Sequence, residues 1–476
     1  MADIGAKKLF IGPRLRRVRQ DLGLTQMRMA EELSVSASYL NLIERNQRPV
    51  TAQLLLRLAE VYEVDLRALA GEADQRAVVD LAEVLADPLF RETPVPHHEI
   101  VELASVAPGI GDAFARLYRA YLDAKRRAET ATREAADRDA PPAGAEDAVE
   151  LVRDYVQDQR NHFPAIEEAA ETLSGTLLAI SPDLLHAIRE RLREKHGITL
   201  RVLPVDVMPR ALRRFDRHRR QLLISEMLDG AGRTFSAAYQ LAQLEFGPVL
   251  DTLSEKAGIG SAATRRLLRV NLANYGAAAL MMPYGPFLTA AENLGYDIQV
   301  LAARFGASFE QVCHRLTTLS RPTARGVPFF MVRVDSAGNV SKRFAAANFP
   351  FSRYGGTCPL WALHSTFKIP NRIFTQVVEM PDGQRYFTIA RAVSRTVSSW
   401  VQSEAELAIG LGCDLKHAQR LVYARGLDLA RPDATPIGMN CRLCDRPDCT
   451  QRAMPPFSKT LLVEEHTRGI APFRFE

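Results

Sequence analysis

Residues 24–49 read LTQMRMAEELSVSASYLNLIERNQRP, and this stretch decides the fold of the N-terminal region. Apolar residues recur at helical spacing in two short segments, 26–33 and 37–45. Thr25 and Ser36 stand immediately before these segments, and hydroxyl side chains in that position accept hydrogen bonds from the free amides of a helix's first turn. The stretch therefore predicts two capped helices joined by a tight turn.

The second predicted helix carries polar side chains on the face opposite Leu40, Leu42 and Ile43, which are expected to point into a core. In DNA-binding proteins with such a helix pair, the first helix crosses the DNA backbone and the second enters the major groove. Small and hydrogen-bonding side chains suit base edges, whereas amide and guanidinium groups suit phosphates. The residues predicted to contact DNA are Gln26, Ser36, Ser38, Tyr39, Asn41, Arg45 and Arg48.

Positive charge is concentrated in the same region. Residues 7–48 hold nine Lys or Arg against four Asp or Glu, although the net charge of all 476 residues is only +5. A basic face on one small domain is typical of a module that binds phosphates. The alternative is a generic helical bundle with surface arginines.

Residues 9–70 resemble the XRE family of repressor- and Cro-type DNA-binding domains. The match is carried by Leu24-Thr25-Gln26, Ala30, Leu33, Ser38-Tyr39-Leu40, Ile43-Glu44-Arg45-Asn46 and Arg48-Pro49. Leu9, Phe10, Leu15, Val18 and Leu22 predict a first helix that ends at Gly23, ahead of the two capped helices. Helix starts at Thr51 and Asp65 predict a fourth and a fifth helix, so residues 1–75 are interpreted as a five-helix domain. The resemblance implies that this domain binds double-stranded DNA with sequence specificity.

The composition is that of an ordinary globular protein, with 47% hydrophobic and 25% charged residues. A chain of 476 residues is too long for one hydrophobic core and is expected to form three or four domains. It contains no apolar run of the roughly 20 residues that cross a bilayer, and residues 1–8 do not look like a signal peptide. We therefore expect a cytoplasmic protein without a membrane partner, whose six cysteines are thiols or metal ligands.

Three further regions follow the N-terminal domain. Residues 76–145 are interpreted as a helical connector and a linker, because Ala140-Pro141-Pro142-Ala143-Gly144 interrupts apolar periodicity. Residues 146–325 are predicted to be mainly helical, with a short strand pair at 200–203 and 221–224. Alternating residues and turn signals predict an antiparallel sheet in residues 326–476. The fold class is therefore mainly α, with an α+β C-terminal part.

The segment 233–244 resembles the active helix of ImmA/IrrE-type metallopeptidases, which have a zincin-like fold and a His-Glu-x-x-His motif. Here Tyr239 and Gln243 occupy the positions of the two histidines, and Gln240 occupies that of the glutamate. Residues 265–275 offer no acidic third ligand. Without zinc ligands and a general base, hydrolysis is not expected, so the chain is predicted not to be an enzyme. Tyr239 is either a packing residue or a hydrogen-bonding wall of a ligand cleft.

Three thiols, Cys441, Cys444 and Cys449, lie within nine residues. This spacing suits a metal centre, with Cys413 expected as the fourth ligand and His417 as the second choice. A [4Fe-4S] cluster and zinc both fit such a set, and chance clustering without a metal is the remaining alternative. Cys313 and Cys358 are interpreted as ordinary buried thiols.

The order of these regions resembles the short-chain fatty acyl transcriptional regulators, and the resemblance covers essentially the whole chain. In the C-terminal region the resemblance rests on Phe351-Ser352-Arg353, Gly355-Gly356-Thr357-Cys358-Pro359-Leu360-Trp361, His364, Phe367, Pro370, Pro436-Ile437-Gly438 and Gln451-Arg452-Ala453. The family resemblance implies binding of coenzyme A or short acyl-CoA thioesters, assembly into homotetramers, and a four-iron cluster near the ligand cavity. It also implies a role in propionate, methylcitrate or glyoxylate metabolism.

Coenzyme A carries several phosphate charges, so its pocket needs cations. Basic residues crowd the predicted sheet at Arg333, Arg343, Arg353, Lys368, Arg372 and Arg391. The expected ligand-binding residues are Tyr239, Arg304, Arg353, Lys368 and Arg391. For any one of the cations, a solvated surface charge is the alternative.

Two other functions are compatible with these patterns. A regulatory metallopeptidase would use the middle region, but the zinc histidines are replaced. An iron or redox sensor would use the metal centre itself as its signal.

Overall fold

A computed structural model describes most of the chain. The described residues are 12, 15–16, 19, 24–45, 47–62, 75–85, 87–90, 95–107, 109–111, 113–118, 120–121, 145–259, 261–346, 349–351, 357–394, 406–457 and 459–475. The predicted helix at Asp65, the linker at Ala140–Gly144 and Arg353 lie outside this set. The chain divides into two compact units, residues 1–122 and 123–476.

The first unit is helical, as predicted. Its described helices are α1 (Gln26–Glu32), α2 (Ala37–Glu44), α3 (Ala52–Tyr62), α4 (Gln75–Leu85) and α5 (His97–Val106). The Thr25 hydroxyl accepts a hydrogen bond from the Arg28 amide and the Ser36 hydroxyl accepts one from the Tyr39 amide, so both predicted caps are present. Around them, the first helices bury a core formed by Leu15, Met29, Ala30, Leu33, Leu40, Ile43, Val50, Leu54 and Leu58.

The second unit begins with helices that surround a small sheet. They are α6 (Ala145–Asp158), α7 (Pro164–Ile180), α8 (Leu184–His196), α9 (Gly230–Glu245), α10 (Gly247–Lys256), α11 (Ala262–Met281), α12 (Tyr284–Asn293), α13 (Ile298–Phe305) and α14 (Phe309–Leu316). The predicted strand pair, β1 (Thr199–Leu203) and β3 (Gln221–Ser225), is parallel, and β2 (Arg213–Asp216) adds to β3 in antiparallel orientation. No helix in the described ranges is long and apolar enough to cross a membrane.

A sheet of six strands follows, in the order β5-β4-β8-β7-β6-β9. Its strands are β4 (Phe330–Asp335), β5 (Val340–Ala345), β6 (Phe374–Glu379), β7 (Arg385–Ser394), β8 (Glu406–Asp414) and β9 (Ala434–Pro436). The predicted antiparallel pairing holds except at the edge, where β9 runs parallel to β6. The hairpin turns contain Gly338 and Gly383, whose φ angles of 85° and 83° suit residues without a Cβ.

Alternation along the strands gives the sheet two different faces. One face, with Met331, Ile389 and Cys413, packs on the helices of the same unit in one continuous core. The other face carries Phe330 and Tyr386 and forms a second core with Trp361, Leu363, Cys358 and Ile437. A short hairpin of β10 (Leu461–Leu462) and β11 (Arg474–Phe475) lies near the C-terminus.

Candidate functional site

The helix-turn-helix surface presents several of the predicted DNA-contacting groups. Ser36, Ser38, Arg45 and Arg48 are exposed, as the prediction requires of residues that meet DNA. They lie at the start of α2 and just beyond its end. Arg48 also lies over the ring of Tyr39, with its guanidinium carbon 5.9 Å from the ring centre. These groups form one polar surface around the second helix of the motif.

The remaining predicted contacts are partly engaged within the domain. The Gln26 amide donates to Glu44 at 3.0 Å and to the Asn41 side-chain oxygen at 3.4 Å. Both side chains are half-buried, so they link α1 and α2 and still expose part of their surface to solvent. Tyr39 and Leu42 are also half-buried, although the helical pattern placed them on the outer and inner faces respectively.

A buried ion pair that the sequence pattern did not predict anchors α2, the second helix of the helix-turn-helix motif. Arg19 donates to the two carboxylate oxygens of Glu44 at 2.7 and 3.1 Å and to the carbonyl of Leu24 at 3.1 Å. Glu44 is only 8% exposed. Arg19 is one of the nine basic residues of the predicted basic face, but its guanidinium joins the segment before α1 to α2 instead.

A cavity of about 860 Å³ lies between the helices of the second unit and the six-stranded sheet. This volume is in the range of pockets for small molecules and cofactors. Its apolar walls come from the helices and include Val156, Phe163, Leu228, Phe235 and Leu272. One side of it is strongly basic, and that side is formed by the sheet.

The basic side is a row of residues set by strand register. Lys342 on β5 pairs with Arg333 on β4, Arg333 with Ile409 on β8, and Ile409 with Arg391 on β7. Residues paired in this way present their side chains on the same face of a sheet, and neighbouring strands are about 4.8 Å apart. Three cations therefore lie within roughly 15 Å along one row, and all three line the cavity. We call them the cationic row.

The cationic row meets one carboxylate. The Glu310 Oε1 accepts from Arg333 at 2.8 Å and from Lys342 at 2.9 Å. Burial by itself raises the pKa of Glu310, but Lys342 and Arg333 outweigh it and lower the pKa to about 2. Arg391 donates to Asn371 at 3.0 Å, and its buried Nε has no hydrogen-bond partner among the described residues.

His314 also borders this part of the cavity. Its ring centre lies 4.3 Å from that of Phe344, and its buried Nε2 finds no hydrogen-bond partner in the described ranges. Burial, reinforced by the Lys342 charge, lowers the pKa of His314 to about 3, so the imidazole is neutral. An unpaired buried polar atom costs free energy, and a ligand that pairs with it recovers that cost.

Several helix starts border the cavity, and each already carries an acidic side chain at its cap or in its first turn. The capping residues of α7, α9 and α14 line it, as does Gln299 in the first turn of α13. The amino end of a helix carries partial positive charge and attracts anions. Because acidic side chains already occupy these helix starts, the cationic row is what makes the cavity suitable for an anionic group attached to an apolar body.

Of the predicted ligand-binding residues that the structure describes, only Arg391 lies at the cavity. Arg391 lines the cavity, whereas Arg304 and Lys368 are exposed and do not line it. Arg353 lies outside the described residues, and Arg333 and Lys342 join Arg391 instead. Lys342 was missed because a single basic residue in a strand gives no signal until its register partner is known.

Tyr239 lies elsewhere, in the middle of the helix that resembles a peptidase helix. Arg213 covers its ring, with the guanidinium carbon 3.6 Å from the ring centre. Gln243 donates to the Tyr239 hydroxyl at 2.8 Å and accepts from Arg269. Tyr239 does not line the cavity between the helices and the six-stranded sheet.

The loop that carries Cys441, Cys444 and Cys449, here called the cysteine loop, has Cys358 near it and not the expected Cys413. Burial raises the pKa of Cys358, and the nearby Cys444 and Cys441 raise it further. Gly438 lies against the same group, because a Cβ added there would be 2.8 Å from the Cys444 sulfur. Cys413 instead lies on the opposite face of the sheet, within the core shared with the helices. The structure thus brings Cys358, and not the expected Cys413, near the loop, whereas the metal-ligand set itself stays a prediction.

Arg452 holds the cysteine loop closed. It is 4% exposed and donates to the carbonyls of Cys441, Cys444 and Arg446 at 2.9, 2.8 and 2.7 Å. The Ala453 amide also donates to the Cys441 sulfur at 3.4 Å. A cation and an amide beside sulfur suit thiolates that bind a metal. Within the described ranges, however, no three His, Cys, Asp or Glu side chains already converge as a metal site.

Three family models match consecutive parts of the chain. They are a helix-turn-helix domain at residues 11–72, an IrrE N-terminal-like domain at 193–317, and the short-chain fatty acyl coenzyme A regulator C-terminal domain at 318–473. The middle match agrees with the resemblance seen in the segment around Tyr239. The last match spans both the six-stranded sheet and the cysteine loop.

Relatives are similar over almost their full length. The chain is 40% identical to the HTH-type transcriptional regulator RamB of Mycobacterium tuberculosis, over 98% of each chain. It is 41% identical to the propionyl-CoA carboxylase regulator of Cereibacter sphaeroides, over 98% of this chain and 99% of that one. A solved structure of a Mycobacterium tuberculosis transcriptional regulator matches with a TM-score of 0.66 and 38% identity, covering 69% of this chain and 99% of the other.

Proposed function

The chain belongs to the family of short-chain fatty acyl-coenzyme A regulators, and on this premise we propose that coenzyme A or a short acyl-CoA controls its DNA binding. Like its relatives, it is a DNA-binding transcription regulator and not an enzyme. The name of the Cereibacter relative supports genes of propionyl-CoA metabolism as targets. A homo-oligomer is part of the proposal, because repressor-type domains bind paired half-sites, and the family resemblance implies that it is a tetramer.

The cavity is the observation that carries the proposed effector. Coenzyme A joins a diphosphate and a ribose phosphate to a long pantetheine arm, so it needs cations at one end and apolar walls at the other. The cationic row supplies Arg333, Lys342 and Arg391 on one side of the cavity, and the helices supply the apolar walls. Guanidinium groups are well suited to phosphate because they donate two parallel hydrogen bonds.

Strand β5 connects the cavity to α6, the first helix of the second unit. It carries Lys342, and its backbone bonds to α6, where Gln157 exchanges two hydrogen bonds with Ala345 at 3.0 and 3.2 Å. Arg153 donates to the Ser341 carbonyl at 3.1 Å. Because these bonds join β5 to α6, we infer that a ligand that moves β5 also moves α6.

A DNA-binding titration tests this function. An operator is selected from random DNA with the full-length protein, and its affinity is then measured with coenzyme A, acetyl-CoA, propionyl-CoA or succinyl-CoA added. We expect at least one of them to change operator affinity by about 5-fold or more, a typical allosteric coupling. Pantetheine, which lacks the phosphates, is expected to have no effect. Unchanged affinity with every CoA compound would exclude this effector class.

We also propose that Cys358, Cys441, Cys444 and Cys449 bind a metal centre, either a [4Fe-4S] cluster or zinc. Four thiolates suit both centres, and the Arg452 cation beside the loop would balance part of their charge. When bound, such a centre cross-links the loop to the segment around Cys358. Arg452 holds the loop, and because no three such side chains converge among the described residues, metal binding requires the loop to rearrange.

Two serine substitutions test the choice of the fourth thiol. Cys358→Ser is expected to lower iron or zinc content several-fold, because one ligand is lost from a set of four. Cys413→Ser is the matched control and is expected to keep full metal content, since this buried thiol lies on the other face of the sheet. Metal analysis and absorbance near 400 nm of the two anaerobically purified variants measure their metal content. The reverse pattern would restore Cys413 as the ligand.

A further inference from the structure

Glu310 occupies an unusual position for an acidic residue, since it lines a cavity otherwise suited to anions. A single carboxylate oxygen, Oε1, accepts from both Arg333 and Lys342. The residue stands in the first turn of α14, where the helix field also favours a negative charge. Glu310 thus takes the place in the cationic row that a ligand phosphate would take.

We propose that Glu310 is a resident counter-anion, which a diphosphate-bearing effector must displace from Arg333 and Lys342 in order to bind. The inference rests on the proposed function and names the regulation of the same cavity. A diphosphate can give separate oxygens to the two cations that now share one carboxylate oxygen. A neutral or singly charged molecule has no such advantage over Glu310, so the exchange selects for ligands that carry several negative charges.

The charged groups around Glu310 determine whether loss of its charge strengthens or weakens the binding of polyanions. Arg333, Lys342 and Arg391 face the cavity from the sheet, and the neutral His314 lies on the same helix as Glu310. Asp229 is the other carboxylate among the lining residues. When Glu310 is neutralised, the cationic row retains its full charge without a local partner. The empty cavity then becomes less stable and binds polyanions more tightly.

The chain offers a matched control. Glu245 also accepts from two permanent cations, Arg191 at 2.8 Å and Lys195 at 2.9 Å. Although burial opposes it, hydrogen bonds from Arg191 and His196 help to lower the pKa of Glu245 to about 2, as for Glu310. Glu245 does not line the cavity. Glu310→Gln and Glu245→Gln thus remove equivalent carboxylates, but only the first alters the cavity.

Calorimetric titration of the full-length protein with coenzyme A, ADP and pantetheine tests the inference. Glu310→Gln is expected to tighten the binding of coenzyme A and ADP by about 10-fold and to leave pantetheine unchanged. Without ligand it is expected to melt at a lower temperature than the wild type, and coenzyme A is expected to restore the loss. Glu245→Gln is expected to bind all three compounds like the wild type.

The outcomes separate this inference from the proposed function. Equal or weaker binding of coenzyme A and ADP by Glu310→Gln overturns the counter-anion role, even if the wild type responds to coenzyme A. If the wild type binds no CoA compound while Glu310→Gln gains affinity for ADP, the counter-anion role stands and the proposed effector is wrong. If neither protein binds any of the compounds, both ideas fail.

Discussion

Replacement of Arg391 by methionine is expected to lower the affinity for coenzyme A by about 30-fold or more. Truncating one partner of a buried, charged hydrogen bond costs about 2–5 kcal/mol, and 2 kcal/mol corresponds to roughly 30-fold. Arg391 lines the cavity and, among the described residues, its Nε has no internal partner to lose. Its hydrogen bond to Asn371 is exposed, so the fold is expected to remain intact. Calorimetric titration gives the affinity, and thermal unfolding checks the fold.

Two exposed cations serve as controls for this prediction. Arg304 in α13 and Lys368 in the short 3-10 helix Ala362–Lys368 were expected from the sequence to bind ligand, but neither lines the cavity. Arg304→Met and Lys368→Met are thus expected to bind coenzyme A within about 2-fold of the wild type, since their charges are solvated. If either weakens binding as much as Arg391→Met, the effector does not occupy this cavity as described.

Replacement of Arg315 by methionine is expected to destabilise the second unit by about 3–5 kcal/mol. The side chains of Arg315 and Glu167 are 0% and 1% exposed, and they share two hydrogen bonds of 2.6 and 2.8 Å. Arg315 also donates to the Met282 carbonyl at 2.9 Å. Its removal leaves the Glu167 carboxylate buried without a countercharge. Urea unfolding of the full chain, followed by hydrogen exchange of α7 and α14, measures the loss.

A neighbouring ion pair gives the comparison. Arg321 donates to Glu171 at 2.8 Å, but these side chains are 29% and 30% exposed. Water therefore screens both charges, and Arg321→Met is expected to cost less than about 1 kcal/mol. Losses of the same size for Arg315→Met and Arg321→Met would show that burial is not what makes the first pair important.

The DNA-binding region follows largely from local sequence. Thr25 and Ser36 cap helices within three residues of themselves, and the apolar spacing around Leu40 determines which side of α2 is buried. The same holds for the cysteine loop, whose three thiols lie within nine residues. Such signals depend on contacts between residues close in the chain, and these are visible without a structure.

Other features depend on segments that are distant in the sequence. The bond between Arg19 and Glu44 joins residues 25 positions apart, and the bond between Arg315 and Glu167 joins residues 148 positions apart. A basic residue in a sequence carries no mark of its eventual partner. Local patterns therefore listed Arg19 with the DNA-binding charges and gave no indication of a buried pair at Arg315.

What the sequence alone determined is the class of protein: a helix-turn-helix regulator with a helical middle and a sheet-rich end, and with no peptidase ligands around Tyr239. Only the tertiary structure decided which cations share a cavity and which thiol approaches the cysteine loop. Side chains on a strand alternate between faces, so strand register placed Lys342, Arg333 and Arg391 in one row and sent Cys413 to the face opposite Cys358. That register is a property of paired strands, and no single segment contains it.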